Sequence, residues 1–153
     1  MTSGIAVQAA VGEGIQLPLD LAAAEDAVRH VLAAEGVHVA EISLAFLADG
    51  EIAKLNEGYL SHSGATDVIS FALHESGEPP LGDVYVGAEQ AARQATELEV
   101  APAEELLRLV IHGTLHVLGH DHPDGADREQ SDMYRRQEQL LASFLDRIGA
   151  AGR

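Results

Sequence analysis

Apolar and polar residues alternate along four short stretches of the chain, and this period of two predicts four β-strands. The alternation is clearest at residues 39–47, where Ile42, Leu44 and Phe46 fall on one face and polar or small residues fall on the other. The other strands are predicted at residues 5–11, 68–73 and 83–86.

Between these strands, apolar residues recur every three or four positions, which predicts helices. Candidate helix boundaries are Asp20 and Asp49 as N-caps, Gly36 as a stop and Pro102 as a start. The helices are predicted at residues 20–35, a short segment from Asp49 to about Tyr59, and residues 87–98, 103–118 and 126–148.

The helix at 103–118 is apolar on nearly all sides, so it is predicted to be buried at the centre of the protein. The order of elements predicts an α+β fold, in which helices pack on a small mixed sheet of about four strands around this central helix. We expect residues 1–153 to form a single domain, because this length is sufficient to bury one hydrophobic core.

The amino-acid composition argues against a membrane-spanning protein and a disulfide-linked protein. Hydrophobic residues make up 46% of the chain, but no apolar run approaches the roughly 18 residues that a membrane span needs. The first residues lack the basic segment of a signal peptide. There are no cysteines, which excludes disulfides and thiolate metal sites and fits a reducing compartment. We therefore expect a cytoplasmic protein without a membrane partner.

The formal net charge of −16 argues against general binding of nucleic acid, because an acidic surface repels phosphate at long range. The charge is unevenly distributed, however. Residues 1–103 contain three basic and sixteen acidic side chains, whereas residues 104–153 contain six and nine. A local basic strip in the last third of the chain is therefore compatible with the sequence.

The candidate chemistry lies in the segment 110–122, where His112, His116 and His122 follow the spacing H-x3-H-x5-H. Residues four apart share one face of a helix, so His112 and His116 can approach the same ion. Gly119 can adopt a left-handed conformation that ends the helix, which lets the chain return with the third histidine. Three imidazoles with an open coordination position favour one zinc ion per chain, with nickel, iron or manganese as alternatives.

Two neighbouring residues admit more than one role. His120 competes with His122 as the third ligand, but it follows Gly119 directly and has little chain length in which to turn back. Asp121 can accept a hydrogen bond from a ligand histidine, act as an acid/base group, or form a turn before Pro123.

The segment matches every metal position of the metzincin protease pattern H-E-x-x-H-x-x-G-x-x-H, but Gly113 occupies the position of the glutamate base. Without that carboxylate a peptidase lacks its proton carrier. The segment therefore gives little support for the function of a metzincin-like metallopeptidase.

The same segment resembles the signature H-G-x-L-H-L-x-G-Y-D-H of the YbeY family of bacterial rRNA maturation factors. Two upstream blocks are also similar to this family. They are Leu55-Asn56-Glu-Gly-Tyr59 followed by Thr66-Asp67-Val68-Ile69-Ser70-Phe71, and Gly82-Asp83-Val-Tyr-Val86 followed by Arg93-Gln94-Ala95. The chain departs from the family at Leu60, where an arginine is usual, and at His120, where a tyrosine is usual.

The resemblance implies a metal-dependent endoribonuclease specific for single-stranded RNA, acting in maturation of the 3′ end of 16S rRNA and in ribosome quality control. The implied partners are precursor rRNA and the ribosome or its small subunit, with no DNA, and we assume a monomer. Asp121 and His116 are the catalytic candidates, Asp121 as the nearest acid/base group and His116 as a ligand whose loss should abolish cleavage. The alternative is a ribosome assembly factor in which the metal is mainly structural, and Arg93 or Arg108 are candidates to replace the arginine missing at Leu60.

Overall fold

The computed structural model describes residues 4–60, 66–121 and 131–151, with the backbone alone for residues 59, 60, 150 and 151. Within these ranges it contains four strands and five helices, which confirms the predicted α+β class. The elements are β1 (Gly4–Val11), α1 (Leu21–Ala34), β2 (Val39–Leu47), α2 (Asp49–Leu60), β3 (Val68–Ala72), β4 (Leu81–Gly87), α3 (Ala88–Leu98), α4 (Pro102–Val117) and α5 (Asp132–Ala151).

The four strands form one mixed sheet in the order β1-β2-β4-β3. β1, β2 and β4 are parallel, and β3 pairs antiparallel with β4 at the edge. The alternation predicted for β2 is confirmed, since Ile42, Leu44 and Phe46 are all buried. Helix α1 packs against β1, and α4 packs against β3 and β4.

Helix α4 is the central buried helix that the apolar pattern predicts. It contacts α1, α3 and α5 in addition to the sheet, so nearly every side of it faces protein. Pro102 occupies the first turn, where its missing N–H has no helical partner to lose. The buried residues of α4 include three polar side chains, Glu105 at 2% exposure, His112 at 6% and Thr114 at 0%.

Gly113 sets the distance between α4 and the sheet. A Cβ atom at this position would lie 2.5 Å from Val84 Cγ1 and 3.1 Å from Val68 Cγ2, closer than van der Waals contact permits. The glycine at 113 therefore has a packing role, and it leaves no room for the glutamate of a metzincin.

The two predicted N-caps have different outcomes. Asp20 occupies the N-cap position of α1, as predicted, although its side chain makes no cap hydrogen bond. Asp49 lies inside the first turn of α2, and the carbonyl of Ala48 accepts the first helical hydrogen bonds instead. Two large apolar residues of the helices, Leu98 and Ile148, are 57% and 37% exposed.

Helix α5 begins at Asp132, and the residues before Ser131 on which its predicted start falls lie outside the described ranges. Ser131 acts as the cap, because its Oγ accepts the backbone N–H of Tyr134 at 3.1 Å. None of the helices in the described parts of the chain is long and apolar enough to cross a bilayer.

Candidate functional site

His112 and His116 lie one turn apart on α4, and their rings are neighbours. Their ring centroids are 4.7 Å apart and the rings are inclined at 78°. His112 is buried, whereas His116 is partly exposed. The predicted pairing of these two imidazoles on one helix face is therefore present.

The turn that follows α4 has the geometry expected from Gly119. This residue has φ of +103°, a conformation that side chains strongly disfavour. The N–H of Gly119 donates to the carbonyl of His116 at 3.0 Å, and the N–H of His120 donates to that of Leu115 at 3.0 Å. This pair of hydrogen bonds is a Schellman motif, which ends the helix and leaves Asp121 exposed just beyond it.

His120 is engaged away from the other two histidines. Its Nε2 forms a short hydrogen bond with Oε1 of Glu35 at the end of α1, and the Nε of Arg136 donates to Oε2 of the same carboxylate at 2.8 Å. Burial raises the pKa of Glu35, but hydrogen bonds from His120 and Arg136 outweigh it and leave this pKa below its ordinary value. His122, the other candidate for the third ligand, lies outside the described residues.

The two described histidines suit a metal ion that binds imidazole. Two ring centres 4.7 Å apart can both reach one ion at the zinc–nitrogen distance of roughly 2.0–2.1 Å. The Nδ1 of His112 lies 2.6 Å from Oε1 of Gln137. Within residues 4–60, 66–121 and 131–151 no group of three potential ligands is assembled, and His122 would have to complete the set.

A cleft of about 500 Å³ opens beside His112, and we call it the His112 cleft. Asp67, Gln94 and His112 all line it, although they come from three separate blocks of the sequence. Asp67 lines the cleft and also stabilises the start of β3, since its Oδ1 accepts the backbone N–H of Val68 at 2.7 Å. The exposed Leu98 forms part of the same wall, which explains why this apolar residue is not buried in the core.

Arg108 also lines the His112 cleft, but its charge is compensated. It donates to Glu104, Glu105 and Glu138, and its side chain is only 17% exposed. Arg93 lies on α3 and donates to Asp49 at 2.9 Å. Each arginine that the sequence offers as a replacement for the family arginine is thus paired with carboxylate, and the side chain at Leu60 itself lies outside the described residues.

Asn56 and Asp83 also belong to the sequence blocks that resemble the YbeY family. Asn56 is buried on α2 at 7% exposure, in line with a packing role. Asp83 lies on β4 and accepts the hydroxyl of Tyr85 at 3.2 Å, and it does not line the His112 cleft.

Gln137 and Glu138 are the site residues that sequence reasoning missed. A signal was present, since Gln137 interrupts the stripe of buried residues that α5 presents to α4, between Met133 and Leu140. A polar residue on such a stripe requires a partner inside the protein, because burying it without a hydrogen bond costs about 1–3 kcal/mol. Its partner is the candidate ligand His112.

Comparison with known proteins places the chain in a family. The family model described as "Endoribonuclease YbeY" matches residues 14–145. Proteins named Endoribonuclease YbeY are similar to the chain over most of its length. The one from Halalkalibacterium halodurans is 38% identical over 131 residues, covering 78% of this chain and 80% of that protein. The one from Moorella thermoacetica is 43% identical over 122 residues, covering 72% and 77%.

The fold has a counterpart among solved structures. The solution structure of TM1509 from Thermotoga maritima superposes with a TM-score of 0.65 and covers 96% of this chain and 93% of that one. The two sequences are 23% identical, so this likeness concerns the fold alone. The matched family model and the relatives together establish that the chain belongs to the YbeY endoribonuclease family.

Proposed function

We propose that this protein is a metal-dependent endoribonuclease that cuts single-stranded RNA during maturation of the 3′ end of 16S rRNA and in ribosome quality control. Family membership assigns hydrolysis of RNA as the reaction class. The observation that carries the proposal is the pair His112 and His116, of which His112 lines a cleft together with Asp67 and Gln94.

His112, His116 and His122 would hold one divalent ion, with zinc as the first choice for imidazole ligands. Such an ion, when bound, supplies a Lewis acid and lowers the pKa of a coordinated water toward ~7. The chain itself contributes the placement of the ligands. Helix α4 would hold two of them one turn apart, and the Schellman turn ends α4 three residues before His122 in the sequence.

Asp121 is the proposed acid/base residue. It is exposed, and it directly follows the turn that ends α4, so solvent and substrate can reach its carboxylate. We assign it to accept a proton from the attacking water and to return one to the leaving oxygen. His116, which is more exposed than His112, is the second residue of the proposed catalytic assignment.

The charge of the chain bears on how RNA is held. The net charge is −16, and Arg108, the arginine that lines the cleft, is already paired with carboxylates. Free RNA would therefore bind weakly by electrostatics alone. We propose that the small ribosomal subunit or its precursor presents the rRNA strand to the site, which places the protein in the cytoplasm.

The direct test uses purified protein with Zn²⁺ and an unstructured RNA. The wild type should cleave it, and cleavage should be lost with His116→Ala and on chelation of the metal. His38→Ala is the matched control, because His38 is an exposed histidine outside the cleft. Cleavage that persists in His116→Ala would contradict the proposal and indicate a contaminating nuclease.

A ribosome assembly factor with a mainly structural metal is the second candidate. The pairing of Arg108 with three glutamates favours this candidate, because no described cation that lines the cleft then remains to bind phosphate. A triple variant with alanine at positions 112, 116 and 122 distinguishes the two candidates. Tight binding of that variant to precursor ribosomes, with no RNA cleavage by the wild type, would support the second.

A further inference from the structure

Four side chains form a continuous hydrogen-bonded series that ends at the candidate ligand His112. Arg108 Nε donates to Glu138 Oε2 at 2.8 Å, and Arg108 Nη2 donates to Glu138 Oε1 at 3.0 Å. Gln137 Nε2 donates to Glu138 Oε2 at 2.9 Å. On its other side, Gln137 Oε1 lies 2.6 Å from His112 Nδ1. The series links α4 to α5 and returns to α4.

The direction of every hydrogen bond in this series follows from its first member. Arg108 can only donate, and the Glu138 carboxylate, when ionised, can only accept. Burial raises the pKa of Glu138, but hydrogen bonds from Arg108 and Gln137 outweigh this and leave the pKa below its ordinary value, so the group is ionised at neutral pH. Gln137 must therefore present its NH₂ group to Glu138 and its carbonyl oxygen to His112.

The orientation of the amide in turn determines the tautomer of His112. A carbonyl oxygen accepts only, so Nδ1 of His112 must carry the proton and donate it. The neutral ring then has its lone pair on Nε2, the nitrogen that faces away from Gln137. A histidine that binds a metal through Nε2 needs this tautomer, and its Nδ1–H needs an acceptor.

Burial makes this constraint effective. His112 is 6% exposed and Gln137 is 4% exposed, so water has little access to replace either partner. The neighbouring Gln139 differs in this respect, since it is exposed on the same helix and accepts a hydrogen bond from Arg136. The two glutamines of α5 therefore provide a matched comparison.

We propose that Gln137 is a positioning residue that selects the Nδ1–H tautomer of His112 and thereby presents Nε2 to the metal. Glu138 and Arg108 orient the amide that makes this selection. The inference rests on the proposed metal site and adds a residue that the sequence motif does not contain.

The test compares Gln137→Met with Gln139→Met. Methionine has nearly the length of glutamine but accepts no strong hydrogen bond. Nitrogen-15 shifts of the His112 ring in metal-free protein report the tautomer, with assignment from the His112→Gln spectrum. The wild type and Gln139→Met should show a protonated Nδ1 and an unprotonated Nε2, and Gln137→Met should show a mixture of tautomers.

The second measurement is Zn²⁺ affinity by competition with a chelating dye. Gln137→Met should bind Zn²⁺ about 10–100-fold more weakly than the wild type, as is usual when the partner of a ligand histidine is removed. Gln139→Met should bind like the wild type. A protonated Nε2 in the wild type would overturn the proposal, as would a Gln137→Met affinity equal to that of the wild type.

A third variant separates positioning from a structural effect. Gln137→Glu keeps an acceptor for Nδ1 but replaces the donor to Glu138 with a second carboxylate, which weakens the packing of α5. Retained tautomer and Zn²⁺ affinity in this variant would support positioning, and losses as large as those of Gln137→Met would overturn it. Failure of the wild type to bind Zn²⁺ would refute the proposed function, whereas wild-type binding that Gln137→Met leaves unchanged would refute this inference alone.

Discussion

Gly113 and Val84 are in such close contact that a methyl group at position 113 would lie 2.5 Å from the Cγ1 atom of the valine. This contact joins the central helix α4 to strand β4, one residue after the candidate ligand His112. The position that a metzincin protease fills with its glutamate base is thus occupied here by the packing of helix on sheet. A peptidase mechanism lacks both the base and the space for it.

The first prediction concerns this contact. Gly113→Ala should lower the free energy of unfolding by about 1–3 kcal/mol, because the added methyl group overpacks the interface with Val84 and Val68. The matched control is Gly50→Ala in α2, where a Cβ meets nothing within 4 Å. That control should stabilise the protein by up to ~1 kcal/mol through helix propensity. Urea unfolding of both variants measures the difference, and equal behaviour would mean that the close contact is not maintained in solution.

Much of the fold followed from the sequence because the local patterns were strong. The alternation on β2 and the all-round apolar character of α4 are imposed by burial, so they appear directly in the residues. The order β1-β2-β4-β3 could not be predicted, since it depends on which strand edges meet across long stretches of chain. Asp20 is the N-cap of α1 as predicted, although its side chain makes no cap hydrogen bond. The cap predicted at Asp49 was wrong, because this residue lies in the first turn of α2 and its carboxylate accepts a hydrogen bond from Arg93.

The candidate site also combines features that the sequence predicts with features that it does not. The pairing of His112 with His116 and the stop at Gly119 are local in sequence, and both are observed. The role of Gln137 depends on the packing of α5 against α4, twenty-five residues away, and no spacing within the motif indicates it. The zinc ion, the ligand role of His122 and the acid/base role of Asp121 stay predictions.

The second prediction concerns the turn after α4. Gly119→Ala should destabilise the protein by about 1–3 kcal/mol, because a residue with a Cβ is strained at the observed φ of +103°. It should also weaken Zn²⁺ binding, since this turn lies in the sequence between His116 and the proposed third ligand His122. Thermal unfolding in the presence and absence of Zn²⁺ measures both effects. Wild-type stability in the metal-free variant would show that the turn tolerates a side chain.

The third prediction concerns the buried charge beside the His112 cleft. Arg108→Met should cost about 3–5 kcal/mol, because it leaves Glu105, whose side chain is 3% exposed, without its cationic partner. The double variant Arg108→Met with Glu105→Gln should recover a large part of this loss. Arg93→Met removes an arginine from an exposed ion pair and should change stability little. Urea unfolding of the three variants is the measurement, and no recovery in the double variant would assign the loss to Glu138 instead.

The fourth prediction concerns acid stability. Burial, followed by the charges of Arg147 and Arg136, lowers the pKa of His30 from its ordinary value of 6.5. Its Nε2 lies 2.8 Å from Ser143 Oγ and its ring packs on Phe144. Below pH 6.5 the unfolded chain binds a proton at this residue before the folded protein does, so stability falls as the pH is lowered toward the folded pKa.

Replacement by a residue that does not titrate should remove this contribution. We expect the free energy of unfolding of His30→Gln to decrease less than that of the wild type between pH 7 and about pH 5.5, a range that brackets the ordinary histidine pKa. Urea unfolding at several pH values provides the comparison. An equal or steeper decrease in the variant would contradict the lowered pKa of His30.

The fifth prediction concerns pH and the metal. Imidazole must be unprotonated to bind an ion, so a site of three histidines should lose Zn²⁺ as the pH falls toward and below ~6. Elemental analysis after dialysis at a series of pH values measures the bound metal, and His116→Ala should release it at a higher pH than the wild type. Carboxylate ligands are protonated only at lower pH, since the ordinary pKa of Asp is ~3.9. Retention of a full equivalent of Zn²⁺ well below pH 5 would therefore contradict a three-histidine site and indicate that a carboxylate is among the ligands. Asp121 would then be the first residue to substitute.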